Sequence, residues 1–152
     1  MKIKIGINGM GRIGRMILRS IYEGNKKIEI MHINNRTNSE TCSTLLKYDS
    51  IHGKFKADIS YDEKNLIVNK SKISFGQETD LNKIDWKKYG VDYVFECTGK
   101  FNSKDKLQTH LKNGAKKVIV SAPCKDADKT IVFGVNESEL KKDDKIISAA
   151  SC

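Results

Sequence analysis

Three glycines near the start of the chain, Gly9, Gly11 and Gly14, constrain its fold more than any other feature. They follow an alternating apolar run, Ile3, Ile5 and Ile7, and lead into Ile13, Ile17, Leu18 and Ile21 at helical spacing. In such a turn the first glycine lets the chain leave the strand sharply. The second lets a pyrophosphate approach the backbone, and the third lets the helix pack close to the sheet. The helix N-terminus then offers unpaired N–H groups and the positive end of its dipole to the phosphates. A glycine-rich turn alone carries little information. The strand before it and the helix after it make dinucleotide binding the better reading.

The rest of the chain continues the pattern. Gly24-Asn25 stops the first helix, and residues 28–33 read as a second strand, completing a strand–helix–strand unit. Residues 38–47 read as a short helix. Residues 56–61, 66–68 and 73–75 read as short strands of an antiparallel insertion. Parallel strands are then predicted over 91–96, 118–121, 131–135 and 145–149. Ser103 is placed to cap a helix that runs through Leu111 to a stop at Gly114, and Ser138 begins a brief helical turn. No repeat, low-complexity tract or linker interrupts residues 1–152, so one dinucleotide-binding domain is expected. The predicted class is α/β: a Rossmann-type, doubly wound, mostly parallel sheet with a small antiparallel insertion.

In such sheets ligands lie at the carboxyl ends of the strands. The segments predicted there are 8–13, 34–36, 97–100 and 121–123, with Cys152 just past the last strand. Their convergence makes these segments the candidate site, with Asn8, Gly9, Gly11, Asn35 and Arg36 among its residues.

Composition narrows the function classes. No stretch approaches the roughly 18 apolar residues a membrane span needs, and no secretory leader is visible, so a cytoplasmic protein is expected. Cys42, Cys97, Cys124 and Cys152 are far apart and form no C-x-x-C pair, which argues against a zinc site and a disulfide scaffold. The net charge of +9 invites a nucleic-acid reading, but the lysines are dispersed and the aromatics do not interleave with them. The same charge attracts an anionic cofactor and substrate.

Seven stretches together closely resemble phosphorylating glyceraldehyde-3-phosphate dehydrogenase. They are Ile7-Asn-Gly-Met-Gly-Arg-Ile-Gly-Arg15, Leu46-Lys-Tyr-Asp-Ser-Ile-His-Gly-Lys-Phe55, Glu96-Cys-Thr-Gly-Lys-Phe101, His110-Leu-Lys-Asn-Gly-Ala-Lys-Lys-Val118, Val120-Ser-Ala-Pro123, Gly134-Val-Asn136 and Ser151-Cys152. They stand in the family's order and cover essentially the whole chain. The resemblance implies an NAD-dependent oxidoreductase of glycolysis or gluconeogenesis, a homotetramer when complete. Its substrates are a phosphorylated aldehyde and inorganic phosphate. Cys152 matches the nucleophile, and Ser151 a residue beside the substrate phosphate. Arg12 and Ile13 match backbone contacts to the pyrophosphate, while Thr98, Gly99 and Ser121 match positions along the ribose and nicotinamide side. In the family a second, catalytic domain follows the cysteine. This chain is therefore expected to be the cofactor-binding half, without the general base and inactive by itself. His32, His52 and His110 read as structural or surface residues, and Cys97 as a small buried hydrophobe.

Three positions depart from the family pattern. Asn34-Asn35 stands where the family usually has Asn-Asp, and Arg36 follows. Two alternatives stay open: Asn35 bonds the ribose 2′-OH of NAD, or the missing carboxylate and Arg36 admit the 2′-phosphate of NADP. Thr79 replaces a common Arg near the adenine, and Ala149 a common Asn. Two other functions remain in view. One is the erythrose-4-phosphate dehydrogenase relative, which shares the cysteine chemistry. The other is a non-catalytic nucleotide- or RNA-binding module.

Overall fold

The computed structural model describes residues 2–24 and 27–150; Ser151, Cys152 and the Asn25 helix stop lie outside them. The first unit is β1 (Ile3–Asn8), α1 (Arg12–Gly24) and β2 (Ile28–Asn34). Next come α2 (Ser39–Lys47), the small pair β3 (Tyr48–Asp49) and β4 (Gly53–Lys54), then β5 (Ile59–Asp62), β6 (Asn65–Val68) and β7 (Ser71–Gly76). The remainder is β8 (Tyr93–Glu96), α3 (Lys104–Lys112), β9 (Lys117–Val120), β10 (Lys129–Ile131) and β11 (Ile146–Ala149).

Nine strands make one sheet in the order β10-β11-β9-β8-β1-β2-β7-β6-β5, while β3 and β4 pair separately. From β10 to β7 every neighbouring pair is parallel; β6 and β5 extend the edge as antiparallel ribbons. The α/β, mostly parallel, doubly wound reading therefore holds. One part of it needs correction. Residues 73–75 were expected to be wholly antiparallel, yet β7 pairs antiparallel with β6 and parallel with β2. The stretch from β2 to β7 is a crossover that carries a hairpin, which brings the end of β7 to the ligand edge.

Three smaller expectations also differ. The strand expected over 131–135 is β10, ending at Ile131. Val132, Phe133 and Val135 follow in a turn closed by the Asn136 side chain, which accepts from the Val132 N–H at 2.8 Å, with Gly134 at φ +83°. The strand expected from residue 56 starts at Ile59, after an irregular stretch. Ser103 occupies the N-cap of α3 but makes no side-chain cap bond; Asp126 accepts from the Lys104 N–H at 3.0 Å instead. A carboxylate near a helix N-terminus is favoured over a hydroxyl by the dipole.

The period-2 alternation of β1 sorts its side chains onto two cores. Ile5 and Ile7 pack with Leu18 of α1, Ile33 of β2 and Leu46 of α2. Leu18 is fully buried, so truncating it to Ala would cost about 2–5 kcal/mol. Gly6 faces the other way, against Trp86. A Cβ on Gly6 would lie 2.4 Å from the indole, so only glycine lets the ring come this close to the strand. Trp86 packs there with Ile84, Val91 and Val94, beside α3. A one-residue register shift after Ile5 sets His32 opposite Gly6, where it stacks on Tyr89 at 3.9 Å and meets Trp86 edge-on.

Candidate cofactor site

A cleft of about 340 Å³ opens at the carboxyl ends of β1, β2, β7 and β8. Gly9 begins its floor. At φ +97° it turns the chain out of β1, and an added Cβ would meet the Thr98 backbone at 2.8 Å. Gly14 sits where a Cβ would lie 2.1 Å from the Gly9 carbonyl oxygen, so the third glycine seats α1 on the loop. Gly11 differs from both. A Cβ there would meet nothing within 4 Å, and the residue lines the cleft. Its bare backbone faces open space that a ligand could occupy. The N–H groups of Arg12 and Ile13, in the first turn of α1, have no acceptor among the described residues.

The floor is held by a buried polar network. The Asn34 amide donates to Asn8 Oδ1 at 2.8 Å, and Asn8 donates to Glu96 Oε2 at 2.6 Å. Glu96, only 1% exposed, also accepts the Thr98 N–H at 2.9 Å, the Thr98 hydroxyl at 2.5 Å and His110 Nε2 at 2.8 Å. The Trp86 indole N–H donates to His110 Nδ1 at 2.9 Å. An indole can only donate, so Nδ1 must accept and Nε2 carries the ring proton toward Glu96. Each carboxylate oxygen receives two donors, which suits a buried anion. Asn34 also exchanges two bonds with the Glu78 backbone, at 2.8 and 2.9 Å, and so fastens the end of β7 to the site.

On the wall formed by β2, Asn35 Oδ1 accepts the Met10 N–H at 3.0 Å, and its amide donates to the Thr37 hydroxyl at 2.6 Å. Arg36 is exposed. Its carbonyl is held by Gln77 at 3.2 Å, and its guanidinium has no partner among the described residues. The opposite wall contains Cys97, half-buried, whose thiol is pushed up to about 12 by burial despite a hydrogen bond with Ser121. It is a packing residue and a poor nucleophile at neutral pH.

Of the residues expected from sequence, Asn8, Gly9, Gly11, Asn35, Arg36 and Thr98 share this cleft. Arg12 and Ile13 stand beside it at the start of α1. Gly99 follows Thr98 at φ +71° but does not line the cleft. Ser121 is also outside the lining, with its N–H donating to the Glu96 carbonyl at 3.0 Å. Asn34, Glu78, Leu81, Lys100 and Phe101 line the cleft without having been singled out as site residues. Glu78 was hidden by the antiparallel reading of β7, which removed that strand end from the ligand edge; its neighbour Thr79, also on the lining, had been placed near the adenine only by the family pattern. Among the described residues, no group of three or more His, Cys, Asp or Glu side chains could hold a metal ion.

A parallel sheet with strand order reversing at β1, a glycine turn and a helix N-terminus at that point define a Rossmann-type dinucleotide-binding domain. Comparison with known proteins carries this further. The family described as glyceraldehyde 3-phosphate dehydrogenase, NAD binding domain, matches residues 3–104, and the chain belongs to that family. Glyceraldehyde-3-phosphate dehydrogenase of Thermotoga maritima is 49% identical over 150 residues, covering 98% of this chain and 45% of the relative. The plasmid-encoded enzyme of Cupriavidus necator is 49% identical over 155 residues, and glyceraldehyde-3-phosphate dehydrogenase 2 of Bacillus subtilis 45% over 153. Each match covers all of this chain and 46% and 45% of the respective relative. The chain thus spans about half the length of the curated relatives it matches.

Proposed function

We propose that this chain is the NAD-holding half of a phosphorylating glyceraldehyde-3-phosphate dehydrogenase, with residues 1–152 forming one dinucleotide-binding domain. The observation that carries the cofactor reading is Gly11, bare and facing the cleft beside the Arg12 and Ile13 N–H groups, which have no acceptor among the described residues. The site residues fit a dinucleotide. Gly11, Arg12 and Ile13 offer backbone to the pyrophosphate, and Asn35 offers its amide to the adenine ribose. Thr98, fixed by Glu96, borders the nicotinamide side together with Gly99 and Ser121. The bound cofactor supplies a hydride acceptor.

In the complete enzyme Cys152 is the nucleophile that attacks the aldehyde of glyceraldehyde 3-phosphate. The thiohemiacetal so formed would give up a hydride to the cofactor and a proton to a base, becoming a thioester. Inorganic phosphate would then displace the acyl group from the sulfur as 1,3-bisphosphoglycerate, freeing the thiol. Ser151 matches a residue that the family places beside the substrate phosphate. These two roles rest on the Ser151-Cys152 match. The general base and most substrate contacts belong to the half that the relatives carry beyond the matched region. The working form is a cytoplasmic homotetramer of glycolysis or gluconeogenesis. Among the described residues no helix is long and apolar enough to cross a membrane.

Calorimetric titration of the chain with NAD tests the cofactor role. Saturable binding is expected, weakened about tenfold or more by Gly11→Ala because a Cβ blocks pyrophosphate approach. Absence of binding would overturn the reading. The division of labour has its own test: with NAD, glyceraldehyde 3-phosphate and phosphate, the 152-residue chain should form no NADH above a Cys152→Ser control.

A further inference from the structure

The carboxylate that NAD-selective Rossmann domains place at the end of the second strand does two things. It accepts from the ribose hydroxyls, and it repels a 2′-phosphate. Here that position is Asn35, an uncharged amide with one N–H left for a ribose hydroxyl. Oδ1 holds the glycine loop through the Met10 N–H, and one N–H of Nδ2 goes to Thr37. Asn35 therefore braces the loop and carries no charge. Because the Thr37 hydroxyl oxygen accepts from Asn35, its own proton is free to be donated outward.

Next to it, Arg36 lines the same cleft, its backbone anchored to Gln77 and its guanidinium without a partner among the described residues. A guanidinium is well suited to phosphate recognition, since its planar fork matches two phosphate oxygens. Among the described residues the single carboxylate on the lining belongs to Glu78, against the two cations Arg36 and Lys100. The ribose end thus lacks the repulsive element that selectivity for NAD requires, and it displays an attractive one for the phosphorylated form.

We propose that the cleft also accepts a dinucleotide phosphorylated at the adenine ribose 2′ position. In this complex the Arg36 guanidinium and the Thr37 hydroxyl hold the 2′-phosphate. The proposal rests on the reading of the cleft as a dinucleotide site, and it adds a second ligand to that site.

Titration of the full chain with NAD and with NADP tests it. The two dissociation constants should agree within about tenfold, and NADP binding should weaken more steeply with salt. Arg36→Ala should raise the NADP constant by about tenfold relative to the NAD constant, the loss expected of one charge-assisted contact. Asn35→Asp should restore discrimination, weakening NADP by about tenfold or more relative to NAD. If NAD binds and NADP is weaker by more than about tenfold, the proposal fails and the dinucleotide reading stands. The proposal also fails if Arg36→Ala changes both constants equally. If neither ligand binds, both readings fall together.

Discussion

The imidazole of His110, on α3, lies 2.8 Å from the carboxylate of Glu96 at the end of β8, and neither side chain is exposed to solvent. Glu96 is thereby the shared acceptor for three segments: β1 through Asn8, the turn after β8 through Thr98, and α3 through His110. A carboxylate suits the position because it only accepts. Glu96→Gln replaces one oxygen with a donor that must face donors already in place. We expect a stability loss of about 2–4 kcal/mol in urea denaturation, and weaker NAD binding because Thr98 loses its anchor. A variant as stable as the parent would show that the network contributes nothing.

Acid should weaken the fold through His32. Burial, reinforced by Lys88, holds its imidazole down at about 4 against an ordinary value of 6.5. As pH falls below 6.5 the unfolded chain takes up a proton that the folded chain refuses until about 4. The stabilisation is therefore fully present above 6.5 and is lost progressively down to about 4. It amounts to on the order of 3 kcal/mol. His32→Asn should flatten the pH dependence of urea stability over that window; an unchanged slope would assign the acid sensitivity elsewhere.

The second and third glycines should respond differently to the same substitution. Gly14→Ala puts a methyl 2.1 Å from a backbone oxygen, so the loop must move and stability should fall. Gly11→Ala puts it in open space, so the melting temperature should hold while NAD binding drops. Equal melting losses for the two variants would contradict this assignment of their roles.

Three thiols should be inert in the native chain. Burial pushes Cys42 and Cys97 up to about 12 and raises Cys124 as well. Alkylation at neutral pH followed by peptide mass mapping should leave these three unlabelled until denaturant is added. Fast native labelling of Cys97, which lines the cleft, would mean that the site is more open than its geometry indicates.

The contrast between Gly11 and Glu96 explains what could be read in advance. Gly11 announces itself because its role is local: glycine spacing, the strand before it and the helix after it all lie within about 20 residues of chain. Glu96 gave no such hint. Its role depends on Asn8 and His110, which lie 88 and 14 residues away. Likewise, the strand pattern of 71–76 reads the same whether its partner is β6 or β2.

By itself, the sequence determined the class of fold and the strand ends at which the cleft opens. Local spacing and residue chemistry dictate where strands end and where a backbone is left bare. Only the tertiary structure decided that β7 runs parallel to β2, bringing Glu78 to the cleft. It also decided that Asn35 accepts from the Met10 N–H, that the Arg36 guanidinium has no partner among the described residues, and that a buried carboxylate joins three elements. These are pairings between groups far apart in the chain, and partner choice over such distances is set by packing, which no local pattern encodes.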